Sequence, residues 1–420
     1  MDESDLKKGL LTATLAGEIM LSNGAETSRV EETVSILLRS FGIPYSNCLV
    51  TPTGMYISVD VDEVTTPFTL VRRVHKRIFN FSKIAAVNDL SRRAVQGSLT
   101  VGEIFTALEK VNTQDKLYPF WLWLLSGAGA ASGGTLLLGG GALDAAVAFA
   151  GTLLVMFLTK LLERSQYPDI FIELFGAALA TAFALAIAAS GLPVGTTLVI
   201  AGCILRLVPG AALLASVQDG IAGDLLSSVA RGLEAFLKGA AVASGVGAAL
   251  SAATALGFSR PVNLKPDEAW QIPIQVVAAF LASIFFGISI DLPHRNIALA
   301  GIAGALCWLT HLSLQKLGVT ELISAFIAAA LVGTLSWGFA RGQHSPVTLY
   351  ILPGVLPLLP GLTIFDGMSA LTQNDTLQGL FLLFKAIFIG GAIGVGVALS
   401  NSIAPAIWRK PTFVKRKSKT

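Results

Sequence analysis

The rhythm of hydrophobic and polar positions changes near residue 117. Before it, apolar residues recur at helical spacing from Lys7 to Leu21 and from Glu26 to Phe41, with a break at Asn23-Gly24 and a stop at Gly42-Ile43-Pro44. Short β-prone runs over 48–51 and 55–61 flank Pro52-Thr53-Gly54, a hairpin pattern, and residues 65–74 predict a third strand. Two more helices are expected over 81–93 and 101–111, the second opened by Thr100 with Glu103 three residues on. Residues 1–117 therefore read as a small α+β domain with its own modest core.

Beyond it, Tyr118-Pro119-Phe120-Trp121 forms an aromatic interface belt that opens a series of long apolar runs. Ten of these suit the roughly 20 residues a bilayer core requires: 119–138, 141–161, 170–190, 193–209, 232–256, 271–290, 296–316, 319–340, 346–364 and 379–402. Two stretches, 210–231 and 361–378, are too polar for spans and too apolar for free loops. The expected fold class is an α-helical polytopic membrane protein behind a small α+β cytoplasmic domain. Its divisions are a head at 1–117, five-helix membrane repeats at 118–260 and 261–408, and a basic tail at 409–420.

Composition agrees with this partition. Of 420 residues 53% are hydrophobic and only 14% are charged, and the head holds 13 of the 30 basic and 14 of the 27 acidic residues. A net charge of +3 without a basic, aromatic-laced stripe argues against a nucleic-acid partner. Cys48, Cys203 and Cys307 are isolated and odd in number, so neither a disulfide framework nor a metal site is indicated, and no cofactor motif is present. The acidic start, MDESDLKKGLL, is not that of a cleaved secretory signal. Lys160, Arg164, Arg206, Arg231, Arg295, Arg341 and the basic tail fall on the side of the head, which predicts cytoplasmic head and tail in an inner membrane.

A shift of 151 residues lays Leu207-Val208-Pro209-Gly210 on Leu358-Leu359-Pro360-Gly361, Asp224 on Asp375, Gly239 on Gly390 and Gly245 on Gly396. With five spans per copy, an odd number, the second copy must enter the membrane in the opposite sense. This is the inverted repeat of secondary transporters, whose substrates bind near the midplane between the halves. A Pro-Gly step in the fourth span of each half frees backbone groups that lipid cannot satisfy, so such backbone belongs beside a polar cavity. The helix restarting after it turns a partial positive charge on the cavity, suited to a carboxylate.

Ionisable residues in the membrane part each need a reason, since one at bilayer depth costs on the order of 2.5–3.5 kcal/mol. Asp224 and Asp375 are candidate proton carriers because they recur, with a helix-start role as the plain alternative. Arg206, together with Pro209, Gly210, Pro360 and Gly361, is a candidate for the substrate carboxylate. Glu234 and Lys385 occupy equivalent positions with opposite charge and suggest a pair across the pseudo-symmetry axis, although Lys238 offers Glu234 a local partner. Glu173, Glu321 and His311 are secondary candidates. Gly129xxxGly133 and Gly390xxxGly394 permit close helix packing, and small-residue faces permit a homo-oligomer.

The head carries Asn23-Gly24-Ala25-Glu26-Thr27-Ser28-Arg29-Val30-Glu31-Glu32; Glu26, Arg29, Glu31 and Glu32 read physically as a polar helix face turned to solvent, and Asn23, Gly24, Glu26, Thr27, Arg29 and Glu31 are the candidate motif residues of the head. The run closely resembles the N-terminal signature of the bacterial threonine/serine exporter family. Val87-Asn88-Asp89-Leu90-Ser91-Arg92-Arg93 and Val208-Pro209-Gly210 are also similar to it, and the resemblance covers essentially the whole chain. It implies a cytoplasmic domain before ten spans, sometimes split into two subunits, and proton-driven efflux of a small hydroxy-amino acid. Succinate or a similar dicarboxylate is the alternative cargo, since one split pair is associated with succinate export. A membrane scaffold or sensor with a ligand-binding head is an alternative of another class. An enzyme is not expected: there is no GxSxG elbow or HExxH, and His75 is the head's single histidine.

Overall fold

The computed structural model describes residues 3–59, 68–75, 77–257, 272–372 and 375–408. The basic tail 409–420, Arg260, Lys265 and the start of the expected third strand lie outside the described residues. The head begins with α1 (Glu3–Ser22) and α2 (Thr27–Ser40), followed by the antiparallel sheet β1 (Ser46–Thr51), β2 (Gly54–Val59) and β3 (Phe68–Arg73) in the order β1-β2-β3. The helices α3 (Phe81–Val95) and α4 (Val101–Thr113) complete it. Gly24 ends the α1 turn at φ +93°, a conformation that costs a side-chain-bearing residue. Thr100 and Glu103 cap α4 reciprocally. Alternation in β2 buries Met55, Ile57 and Val59 in the core of the head, where β2 packs on α1, while Tyr56 faces out.

Twelve α-helices follow among the described residues. The first six are α5 (Phe120–Leu137), α6 (Ala142–Arg164), α7 (Asp169–Ala189), α8 (Thr196–Ile204), α9 (Gly210–Ile221) and α10 (Leu225–Ala255). The second six are α11 (Ile272–Ser289), α12 (His294–Lys316), α13 (Glu321–Gln343), α14 (Thr348–Val355), α15 (Gly361–Thr372) and α16 (Thr376–Ile407). A 3-10 turn, Leu356–Leu358, extends α14. Lengths recur in order: 18, 23, 21, 9, 12 and 31 residues, then 18, 23, 23, 8, 12 and 32.

Seven of these, α6, α7, α10, α11, α12, α13 and α16, are long and apolar enough to cross a membrane, so the chain is a polytopic α-helical membrane protein. The expectation of ten spans of similar length is modified in the first, fourth and ninth: α5, of 18 residues, is not among these seven. In the fourth and ninth the helices have only 9 and 8 residues: α8 stops where Pro209 has no N–H to give Leu205 O, while α14 runs through Pro353 and passes into the 3-10 turn that carries Pro357. The two ambiguous stretches contain α9 and α15, followed by long helices that start earlier than hydropathy indicates, at Leu225 and Thr376.

Small residues set the helix spacing. A Cβ at Gly245 of α10 would stand 2.2 Å from the Leu174 carbonyl oxygen of α7, and one at Gly396 of α16 would stand 2.5 Å from that of Phe326 in α13. Both contacts bring backbone against backbone. Gly390 and Gly394 face Leu213 and Val217 of α9, while Gly133 faces Ala282 of α11. Both small-residue motifs are thus used inside the chain. The third residues of α6 and α12 hold the starts of the short helices: Asp144 accepts from Gly195 N at 2.8 Å, and Asn296 donates to Ser345 Oγ at 3.1 Å and bonds Tyr350 Oη.

Candidate functional site

The two Pro-Gly steps fold alike and meet. Gly210 N donates to Val208 O at 2.8 Å and Gly361 N to Leu359 O at 2.7 Å, a three-residue turn about each proline. The helices then restart with Leu213 N on Pro209 O and Ile364 N on Pro360 O, both at 3.0 Å. A Cβ at Gly210 would lie 2.9 Å from Leu359 Cδ1, and one at Gly361 would lie 3.3 Å from Leu205 Cδ1. Each break therefore abuts the segment that precedes the other. The restarted helices also cross over: α9 packs on α16 and α15 on α10.

Arg206 is not turned to this junction. Its guanidinium lies 4.7 Å over the Trp123 ring, as does the Lys116 ammonium, a cation–π cluster. Asp224 and Asp375 take equivalent helix-start roles: Asp224 accepts from Ser227 N at 3.2 Å and Asp375 from Gln378 N at 3.2 Å. Glu234 and Lys385 do not pair with each other. Glu234 is held by Arg77 of the head and, at 3.1 Å, by Lys238, whereas Lys385 meets Glu321 at 2.7 Å. His311 Nδ1 shares a hydrogen bond with Ser324 Oγ at 3.0 Å beside Trp308, the arrangement of an interior histidine with its polar needs met. Glu173 is half-buried, with Oε2 enclosed and free of hydrogen bonds among the described residues.

The head motif is not a solvated face. Thr27 Oγ1 lies 2.8 Å from Asp224 Oδ2 and 3.2 Å from Asp219 Oδ1, and Arg231 donates to Ala25 O at 3.3 Å. Asp219 and Arg231 form an ion pair at 2.9 Å with side chains only 2% and 7% exposed. Glu26 sits among Asp219, Arg231 and Arg29, and burial raises its carboxyl above the ordinary range. Asn23 anchors the turn through Ile19 O at 2.6 Å, and Glu31 accepts from Val50 N at 2.8 Å, tying α2 to the sheet. Arg29 pairs locally with Glu32 at 3.6 Å. Burial pushes the Cys48 thiol up to about 12, which makes it inert.

Asp219 and Arg231 escape a sequence reading based on the repeat. Shifted by 151, they fall on Ala370 and Leu382, so the pair has no counterpart. The usable signal is local: the one acid of α9 and the first base of α10, joined by a short turn. Next to this clamp a cavity of ≈ 370 Å3 opens between His75 and Arg77 of the head, the α6–α7 connection, and Glu234 and Lys238 of α10.

Two family models match the chain. The threonine/serine exporter model ThrE covers residues 12–253, and a second, described as "Threonine/Serine exporter, ThrE", covers residues 275–403. Among curated proteins, one from Mycobacterium tuberculosis named "Probable threonine/serine exporter" is 29% identical over 96% of this chain and 78% of its own length. A "Threonine/serine exporter" from Corynebacterium glutamicum is 27% identical over 98% of this chain and 86% of its own. No solved structure matches the chain.

Proposed function

Because this chain belongs to the threonine/serine exporter family, we propose that it carries threonine and serine out across the inner membrane, driven by the proton gradient, with head and tail on the cytoplasmic side. The observation that carries the reading is the meeting of the two Pro-Gly breaks, each pressed against the segment preceding the other. Backbone freed from helical pairing at the contact of two like halves is where transporters of this architecture hold cargo. The recurring helix lengths support a five-plus-five repeat.

The head's contacts support inversion. It touches the α6–α7 connection, the α9–α10 turn and the α11–α12 connection through bonds or the shared cavity. An odd number of crossings per half brings these three ends to one face of a membrane. Proton coupling would need a carboxylate that changes its protonation during the cycle. Asp224 and Asp375 are proposed for that part alongside their capping bonds, and Glu173 has the unpartnered oxygen such a group requires. The test is efflux from sealed vesicles loaded with radiolabelled threonine. An imposed pH gradient is expected to accelerate loss of label, and collapsing the gradient to abolish the acceleration. Equal loss with and without the gradient would remove proton coupling, and no loss would remove the exporter reading.

A further inference from the structure

The cavity between head and first half combines features that suit one class of small molecule. Its volume, ≈ 370 Å3, lies in the range of about 300–1,000 Å3 of small-ligand sites. Its wall is ionic where such sites are usually greasy, which points to a ligand that brings its own charges. Arg77 and Lys238 stand on one side with Glu234 between them, bonded to both. Lys238 is shared by Glu234 and Asp169, so a ligand with one negative and one positive group can enter between Lys238 and Asp169, giving each a new partner. Glu163 and Asp169 line the cavity from the two ends of the α6–α7 connection. Asp169 meets Lys238 at 3.5 Å with its side chain 66% exposed, so an oxygen is available to an incoming ammonium, whereas Glu163 is shared with Lys160 at 3.2 Å.

We propose that this cavity is the entry site for a zwitterionic α-amino acid, with Arg77 and Lys238 holding its carboxylate and Asp169 its ammonium. This rests on the exporter reading above and adds to it where, and by which groups, cargo is first taken. The head then supplies part of the site itself, because Arg77 and His75 belong to it. Cargo class follows from charge balance. A zwitterion adds no net charge to a wall that sets two cations against the carboxylates of Glu163, Asp169 and Glu234, whereas a dicarboxylate adds two negative charges to it, so the zwitterion is favoured. Glu173, one helical turn beyond Asp169 on α7 and within electrostatic reach of Lys238, offers the ammonium its next partner inward.

The test uses the full chain in liposomes. Tyr167 lines the cavity and is 49% exposed, so Tyr167→Cys places a thiol there without disturbing the core. Its modification by a membrane-impermeant thiol reagent is measured above the background of the wild-type chain. Threonine is expected to slow the reaction at least fivefold, while threoninamide, N-acetylthreonine and succinate at the same concentration leave it unchanged. Lys238→Gln is expected to raise KM for threonine at least tenfold with a smaller change in maximal flux, and Lys238→Arg to recover most of the loss. Threonine flux by the wild type without protection at position 167, protection by succinate equal to that by threonine, or an unchanged KM in Lys238→Gln would each overturn the entry site and leave the exporter reading standing. Absence of threonine and serine flux in the wild type would overturn both.

Discussion

Thr27 contributes a single hydroxyl, yet it touches two carboxylates of the membrane part, and one of them, Asp219, is buried against Arg231. Removing one member of a buried ion pair leaves the other charge uncompensated. Arg231→Met is therefore expected to destabilise the protein by about 3–5 kcal/mol, read as a lowered midpoint of thermal unfolding, with Asp219→Leu added to it restoring much of the loss. Glu26 gives a pH signature. Burial raises its carboxyl above the ordinary 4.5, so between that value and the folded-state value the folded protein holds a proton that the unfolded chain has lost. Stability from this group is fully present at low pH and declines as pH rises through the window. Glu26→Gln should thus unfold at higher temperature than wild type at pH 7, with the difference gone at pH 4, by thermal unfolding at both. These roles are hard to read from sequence, because a Glu-Thr-Ser-Arg helix start is as suited to water as to a partner. What hides Asp219 and Arg231 is that neither recurs in the second half.

Among the elements, the end of α8 is marked plainly by Pro209, whereas α14 contains Pro353 and gives way to a 3-10 turn only at Leu356, a boundary that proline alone does not mark. The capping box at Thr100 and Glu103 is equally legible, since both partners are close in the chain. The long helices are less so. Hydropathy begins α10 at 232 and α16 at 379 because it discounts the first two turns of the one and the first three residues of the other, although Asp224 and Asp375 are good N-caps placed ahead of them. The equivalence of Gly245 and Gly396 can be read from the repeat, but their neighbours, the carbonyls of Leu174 and Phe326, cannot. Those contacts leave no room for a methyl group. Gly245→Ala and Gly396→Ala are each expected to cost about 1–3 kcal/mol through overpacking, measured by unfolding of the purified protein. Gly239→Ala, with open space at its Cβ, serves as the neutral control.

On the scale of the whole molecule, the partition into a polar head and an apolar body is legible because burial in lipid and burial in a protein core ask for different compositions. How the head sits on the body is not, since that depends on matches between residues some two hundred positions apart, such as Thr27 with Asp224. The head also reaches the other half: Phe81 N donates to Ile290 O at 3.0 Å at the end of α11. On the first half Thr27 donates to Asp224, Arg231 donates to Ala25 O and Arg77 pairs with Glu234. On the second, Asp291 beyond α11 lies within electrostatic reach of Lys83 and Lys116 of the head, beside the Phe81–Ile290 bond. Both joints thus carry charge, and the head spans the two groups of helices like a staple with a leg in each.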